Sequence, residues 1–191
     1  DQGMVMGIWY WGPDIENFTF NMTGGKVVGQ VFGGSASNSH KNANYEAMTV
    51  ENFTANISGG MITGDLFAGA LDENTAENST QTVKNAVINI SNDASITNVY
   101  GGGFANWSGA LTVVEKSEIN MDGGTVGIIY GGGQNGLETQ YNNSATSRVD
   151  DVTINLNDGE VTDVYGGGYN FHWNNSYWVA DDGSVIKVNY K

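Results

Sequence analysis

The chain has 191 residues, with 21 acidic side chains against seven basic ones and a formal charge of −14. So few and scattered cations argue against nucleic acid and anionic membranes as partners, because phosphate binding needs clustered Lys and Arg. Cysteine is absent, which excludes disulfides, zinc-thiolate sites and thiol catalysis, and no 18-residue apolar run is present to insert in a membrane as a helix.

Residues 1–16 form an irregular stretch, Ile8-Trp9-Tyr10-Trp11-Gly12-Pro13, which holds the only proline. We read it as an N-terminal cap. Beginning at Asp1 rather than Met, the chain reads as a mature or excised fragment.

Residues 17–168 read as five repeats. Alternation is clear in the opening segments of four: Phe18, Phe20 and Met22 on one face, then Phe53, Ala55 and Ile57, Ala86, Ile88 and Ile90, and Val152, Ile154 and Leu156. The opposite face carries Thr19, Thr54, Val87, Glu118 and Thr153, beside a row of Asn21, Asn56, Asn89, Asn120 and Asn155. Period two with apolar-in and polar-out predicts a half-buried strand, and the recurring Asn predicts an outer amide ladder. An earlier stretch ending at Val50, Val83, Val114 or Val149 extends this strand or makes a third face.

A turn follows each Asn: Thr23-Gly24-Gly25, Ser58-Gly59-Gly60, Ser91-Asn92-Asp93, Asp122-Gly123-Gly124 and Asn157-Asp158-Gly159. Such clusters supply the positive φ of a tight corner. A second strand then ends in a hydrophobic-aromatic pair and small residues. The aromatics are Phe32, Phe67, Tyr100, Tyr130 and Tyr165, spaced 35, 33, 30 and 35 residues apart. Recurrence at that period signals stacked copies of one supersecondary unit, and the aromatics predict a stacked ladder.

No stretch shows a helical period. The expected fold is all-β, a single-domain β-solenoid (parallel β-helix) of about five coils; a propeller or prism needs more strands per unit than are found.

Between the Gly-Gly corner and the next repeat lie insertions at residues 35–47, 70–81, 104–111, 134–147 and 169–179. They leave at the same point of every coil and are expected along one edge. Their aromatic and amide content points to ligand binding, with Trp107, Tyr141, Tyr169, Phe171, His172, Trp173 and Asn174 as candidates. Aromatic rings stack on the C–H face of a sugar while amides satisfy its hydroxyls. The same mixture suits a protein partner. Residues 169–191 are read as the last insertion and a C-terminal cap.

Catalytic chemistry is poorly supplied. The only arginine is Arg148, His40 and His172 fall on different insertions, and neighbouring Asp150 and Asp151 point to opposite faces of an extended strand. No cofactor is expected. Calcium is the single metal with candidate ligands, at Asn157-Asp158-Gly159-Glu160 and Asp181-Asp182-Gly183-Ser184, where plain Asp-Gly turns are the simpler reading. Sequons such as those at Asn17, Asn52 and Asn106 arise by chance in a chain so rich in Asn and Thr.

The unit Asn56-Ile57-Ser58-Gly59-Gly60-Met61-Ile62-Thr63-Gly64-Asp65-Leu66-Phe67-Ala68-Gly69, and the related Val31-Phe32-Gly33-Gly34-Ser35, resemble the repeats in passenger domains of autotransporter-like bacterial surface adhesins. There a stretch of the form T-V-x-I-S-G-G-x-V-x-G-x-V-Y-G-G recurs. The resemblance covers roughly residues 17–168. It implies an extracellular β-solenoid displayed on a bacterial surface, with an adhesive or interaction role. The chain departs from it in longer, more varied insertions and in having no membrane barrel.

These readings together point to a noncatalytic domain that recognises a host glycan or host protein through its insertions. The rivals are a polysaccharide-active β-helix lyase or hydrolase and a purely structural stalk segment.

Overall fold

The computed structural model describes residues 4–9, 13–37, 47–73, 80–106, 110–135, 145–170 and 185–190. Among these the strands in chain order are β1 (Val5–Trp9), β2 (Ile15–Val27), β3 (Val31–Ser37), β4 (Met48–Phe67), β5 (Leu71–Asp72) and β6 (Thr80–Tyr100). There follow β7 (Phe104–Ala105), β8 (Leu111–Tyr130), β9 (Gln134–Asn135), β10 (Thr146–Tyr165), β11 (Tyr169–Asn170) and β12 (Val185–Tyr190). No helix occurs among the described residues. All the strands belong to one parallel sheet that winds upon itself, with β2, β4, β6, β8, β10 and β12 stacked in succession. The fold is a parallel β-solenoid.

It makes about four turns rather than five coils. The five aromatics mark four intervals, and the first copy is split at Val28-Gly29-Gln30 into β2 and β3, so only β4, β6, β8 and β10 run unbroken.

Inward columns build the core. Phe53, Ala86, Ser117 and Val152 stack in register, as do Ala55, Ile88, Ile119 and Ile154, and Ile57, Ile90, Met121 and Leu156. All are buried. Each Val, Leu, Ile, Phe or Met among them contributes about 1.5–3 kcal/mol on leaving water. Period two breaks between Val50 and Phe53, Val83 and Ala86, Val114 and Ser117, and Val149 and Val152, where inward residues are three apart. The strand bends there, so the stretch before it both extends the strand and turns onto another face. Asn52 donates to Asn17 Oδ1 at 3.1 Å and Asn85 donates to Asn52 Oδ1 at 3.2 Å, which staples the bend from coil to coil.

The outer amide ladder is complete over five rungs. Each Nδ2 donates to the Oδ1 one coil below: Asn56 to Asn21 and Asn89 to Asn56 at 2.8 Å, Asn120 to Asn89 at 3.0 Å, Asn155 to Asn120 at 2.7 Å. In the next turn Gly60 has φ +87°, and Asn92 takes the equivalent bend at φ 52°. Asn is the side-chain residue best suited to that left-handed region.

The glycines after the aromatics serve another purpose. A Cβ on Gly101 would collide with the carbonyl oxygen of Gly131 in the next coil, and one on Gly131 with that of Gly166. Backbone approaches backbone there too closely for any side chain.

Candidate functional site

The second strand of each coil turns its aromatic ring away from the main core into a smaller cluster of Phe32, Phe67, Tyr100 and Tyr130, with Ala36 and Leu71. Ring centroids are 4.9 Å apart for Phe32–Phe67, 4.5 Å for Phe67–Tyr100, 4.7 Å for Tyr100–Tyr130 and 5.3 Å for Tyr130–Tyr165, all stacked. The first four rings are buried, whereas Tyr165 ends the ladder with 49% of its surface exposed. Burial, with a smaller push from Asp65, holds the Tyr100 hydroxyl well above the usual phenol range; burial raises Tyr130 as well. Asp65 is raised too, through desolvation, although Asn98 donates to its Oδ1 at 2.8 Å and works the other way.

Beyond the glycines the chain forms one more short strand in each coil before an insertion begins. Ala36, Leu71, Phe104, Gln134 and Tyr169 are in register, as are Ser37, Asp72, Ala105, Asn135 and Asn170. The returning ends align likewise, Met48 with Gln81, Thr112 and Ser147. The five exits and the four aligned returns therefore lie on one edge. The insertions start two or more residues later than the Gly corner, because those residues are spent on β5, β7, β9 and β11.

A buried polar seam joins the roots. Asp72 is fully buried and its Oδ2 accepts from Leu111 N at 2.9 Å. Ser35 donates to Gln81 Oε1 within the same layer. Thr112 donates to Ser147 Oγ at 3.0 Å, Ser147 Oγ donates to Gly103 O at 2.9 Å, and Ser147 N donates to Asn135 Oδ1 at 2.8 Å. Buried polar groups that are satisfied this way fix their backbone segments, because separating them would leave donors unpaired in a dry layer. The insertions thus spring from a rigid base.

Of the seven candidate residues, the described one is Tyr169, half-buried and with its ring 5.7 Å from Tyr130 at an interplanar angle of 55°. Trp107, Tyr141, Phe171, His172, Trp173 and Asn174 lie outside the described residues. Tyr165 and Gln134 join the edge beside Tyr169. Tyr165 is legible as the last rung of the ladder. Gln134 occupies the column between Phe104 and Tyr169, and its Oε1 has no hydrogen-bond partner.

The groups weighed for other chemistry are engaged locally. Arg148 pairs with Asp150 at 2.7 Å on the surface. Asp158 Oδ1 accepts from Gly159 N at 2.8 Å and so closes its own turn, while Asn157 donates to Asp122 Oδ1 at 2.8 Å. Among the described residues no three carboxylate or imidazole groups converge as metal ligands. His40, His172 and Asp181-Asp182-Gly183-Ser184 lie outside them.

No family model, no curated protein and no solved structure matches the chain. The resemblance to autotransporter passenger repeats therefore rests on the repeat positions and is met by the structure at the level of the solenoid fold.

Proposed function

We propose that this solenoid is a noncatalytic extracellular recognition domain that binds a host glycan along its insertion edge. The observation that carries this reading is the register of the insertion roots, which gathers five sequence-diverse segments onto one line over a rigid seam. Aromatic and amide side chains concentrate in those segments and at their roots, including Tyr165, Tyr169 and Gln134. Neutral sugars need that pairing, with rings for the C–H faces and amides for the hydroxyls. A surface this acidic favours uncharged ligands over anionic ones. Display on a bacterial surface, as an adhesin, follows the resemblance of the repeats.

A glycan array with the purified chain tests the proposal. A neutral oligosaccharide class should be retained, and Trp107→Ala and Trp173→Ala should each weaken binding by about 1–3 kcal/mol, the range for a hot-spot aromatic. Melting temperature should hold, and Asn155→Ser on the outer amide ladder should leave binding intact. Absence of any glycan ligand, with capture of a host protein instead, would replace the sugar reading. Early melting of both Trp variants would make those rings structural covers.

A further inference from the structure

One column of the exit strands lies against the aromatic ladder, where the surroundings call for apolar side chains. Ala36, Leu71, Phe104, Gln134 and Tyr169 stand in register there, and all but Gln134 pack on the ladder cluster. Phe104 stacks on Phe67 at 5.8 Å and 11°, and Tyr169 lies 5.7 Å from Tyr130. Gln134 sits between those two rings. It is half-buried, and its Oε1 is enclosed with no hydrogen-bond partner.

An enclosed carbonyl without a donor lowers stability, because it has given up water and received nothing in return. A leucine, as at position 71, would fill the column without that loss. Among the described residues two other side-chain atoms are enclosed and unpaired, Ser117 Oγ and Asp151 Oδ1. Ser117 is shut into the main core, and Asp151 belongs to the bend column beside Lys116. Of the three, Gln134 is the one at the insertion edge. A local rule broken at a cost in stability, on a surface suited to recognition, marks a residue kept for a ligand.

Building on the reading of this edge as a glycan site, we infer that Gln134 selects the ligand. Its side-chain carbonyl accepts one hydroxyl of a neutral sugar and is paired only in the bound state. The backbone of β9 need not move, since Gln134 N donates to Gly103 O and Tyr169 N to Gly133 O, both at 2.8 Å. Rotation of the terminal amide is enough to bring Oε1 to a hydroxyl arriving at the edge. Pairing the carbonyl on binding favours sugars that carry a donor at that point. A deoxy or O-methylated analogue leaves it unpaired and is rejected. A neutral acceptor does this without adding to the chain's charge of −14, which already disfavours anionic sugars.

Gln134→Leu separates the two halves of the inference, because it removes the unpaired carbonyl and the proposed contact together. The full-length variant and its parent are melted, then titrated on an array of neutral oligosaccharides ending in galactose, glucose, mannose or N-acetylglucosamine. The parent should retain at least one array member. The variant should melt about 2–4 °C above the parent and bind that member at least about tenfold more weakly. A variant that melts at or below the parent overturns the inference, since the carbonyl would then be no burden to the free chain. A more stable variant that binds as the parent does also overturns it, while leaving the edge a glycan site. A parent that retains no array member overturns both the inference and the reading beneath it.

Discussion

Replacing Ile154 by Asp should unfold the chain or cost on the order of 4 kcal/mol or more, whereas Asn155→Ser, one residue away, should cost about 1 kcal/mol. Ile154 is fully buried between Ile119 and the β12 position Val188, so an aspartate there would carry an unpaired charge into a dry apolar column. Asn155 is half-buried on the outer face, and its hydrogen bond to Asn120 is one that water can replace. Urea denaturation of both variants checks the contrast. Equal losses would mean that the inward and outward faces are wrongly assigned.

Gly101→Ala should destabilise by about 3 kcal/mol or more, and Gly167→Ala should be almost silent. Both glycines follow a ladder tyrosine, yet their surroundings differ. A methyl on Gly101 runs into the Gly131 carbonyl oxygen and closes on the Ser117 hydroxyl, so two coils must separate and lose their parallel hydrogen bonds. At Gly167 nothing lies within 4 Å of the added carbon, and among the described strands none is stacked beyond it. Thermal melts of the pair make the comparison. A silent Gly101→Ala would show that the coils are less tightly stacked than described.

Much of the fold could be read from spacing because a solenoid repeats its constraints. Each inward position of one coil touches its own equivalents above and below, so Ile88, Ile119 and Ile154 or Asn89, Asn120 and Asn155 recur with the coil. The same logic exposed the aromatic ladder and the turn residues, even where Asn92 replaces a glycine. Features with no shared residue type stayed hidden. The exit strands are two residues long and hold Leu-Asp, Phe-Ala, Gln-Asn and Tyr-Asn, a series without a common pattern. The bend column starts as Asn17, Asn52 and Asn85 but continues as Lys116 and Asp151, so its amide signal fades. The corner glycines announced themselves by position, but not that close stacking rather than positive φ requires them. The polar seam escaped because its partners are far apart in the chain, 44 residues between Gly103 and Ser147 and 46 between Ser35 and Gln81. For the candidate site, position was legible and surroundings were not: Tyr169 was singled out by composition, while its packing on Tyr130 depends on a strand too short to foresee.

A recognition edge requires the insertion roots to be aligned, and a distance measurement addresses that directly. The chain has no cysteine, so Ser37→Cys and Asn170→Cys can carry a pair of spin labels without removing native thiols. The two positions occupy one column four coils apart. At about 4.8 Å per coil, double electron-electron resonance should give a narrow distribution centred near 20 Å, with a few ångströms of spread from the label arms. A distribution centred beyond about 35 Å, or several separate maxima, would contradict a single insertion edge and with it the solenoid register.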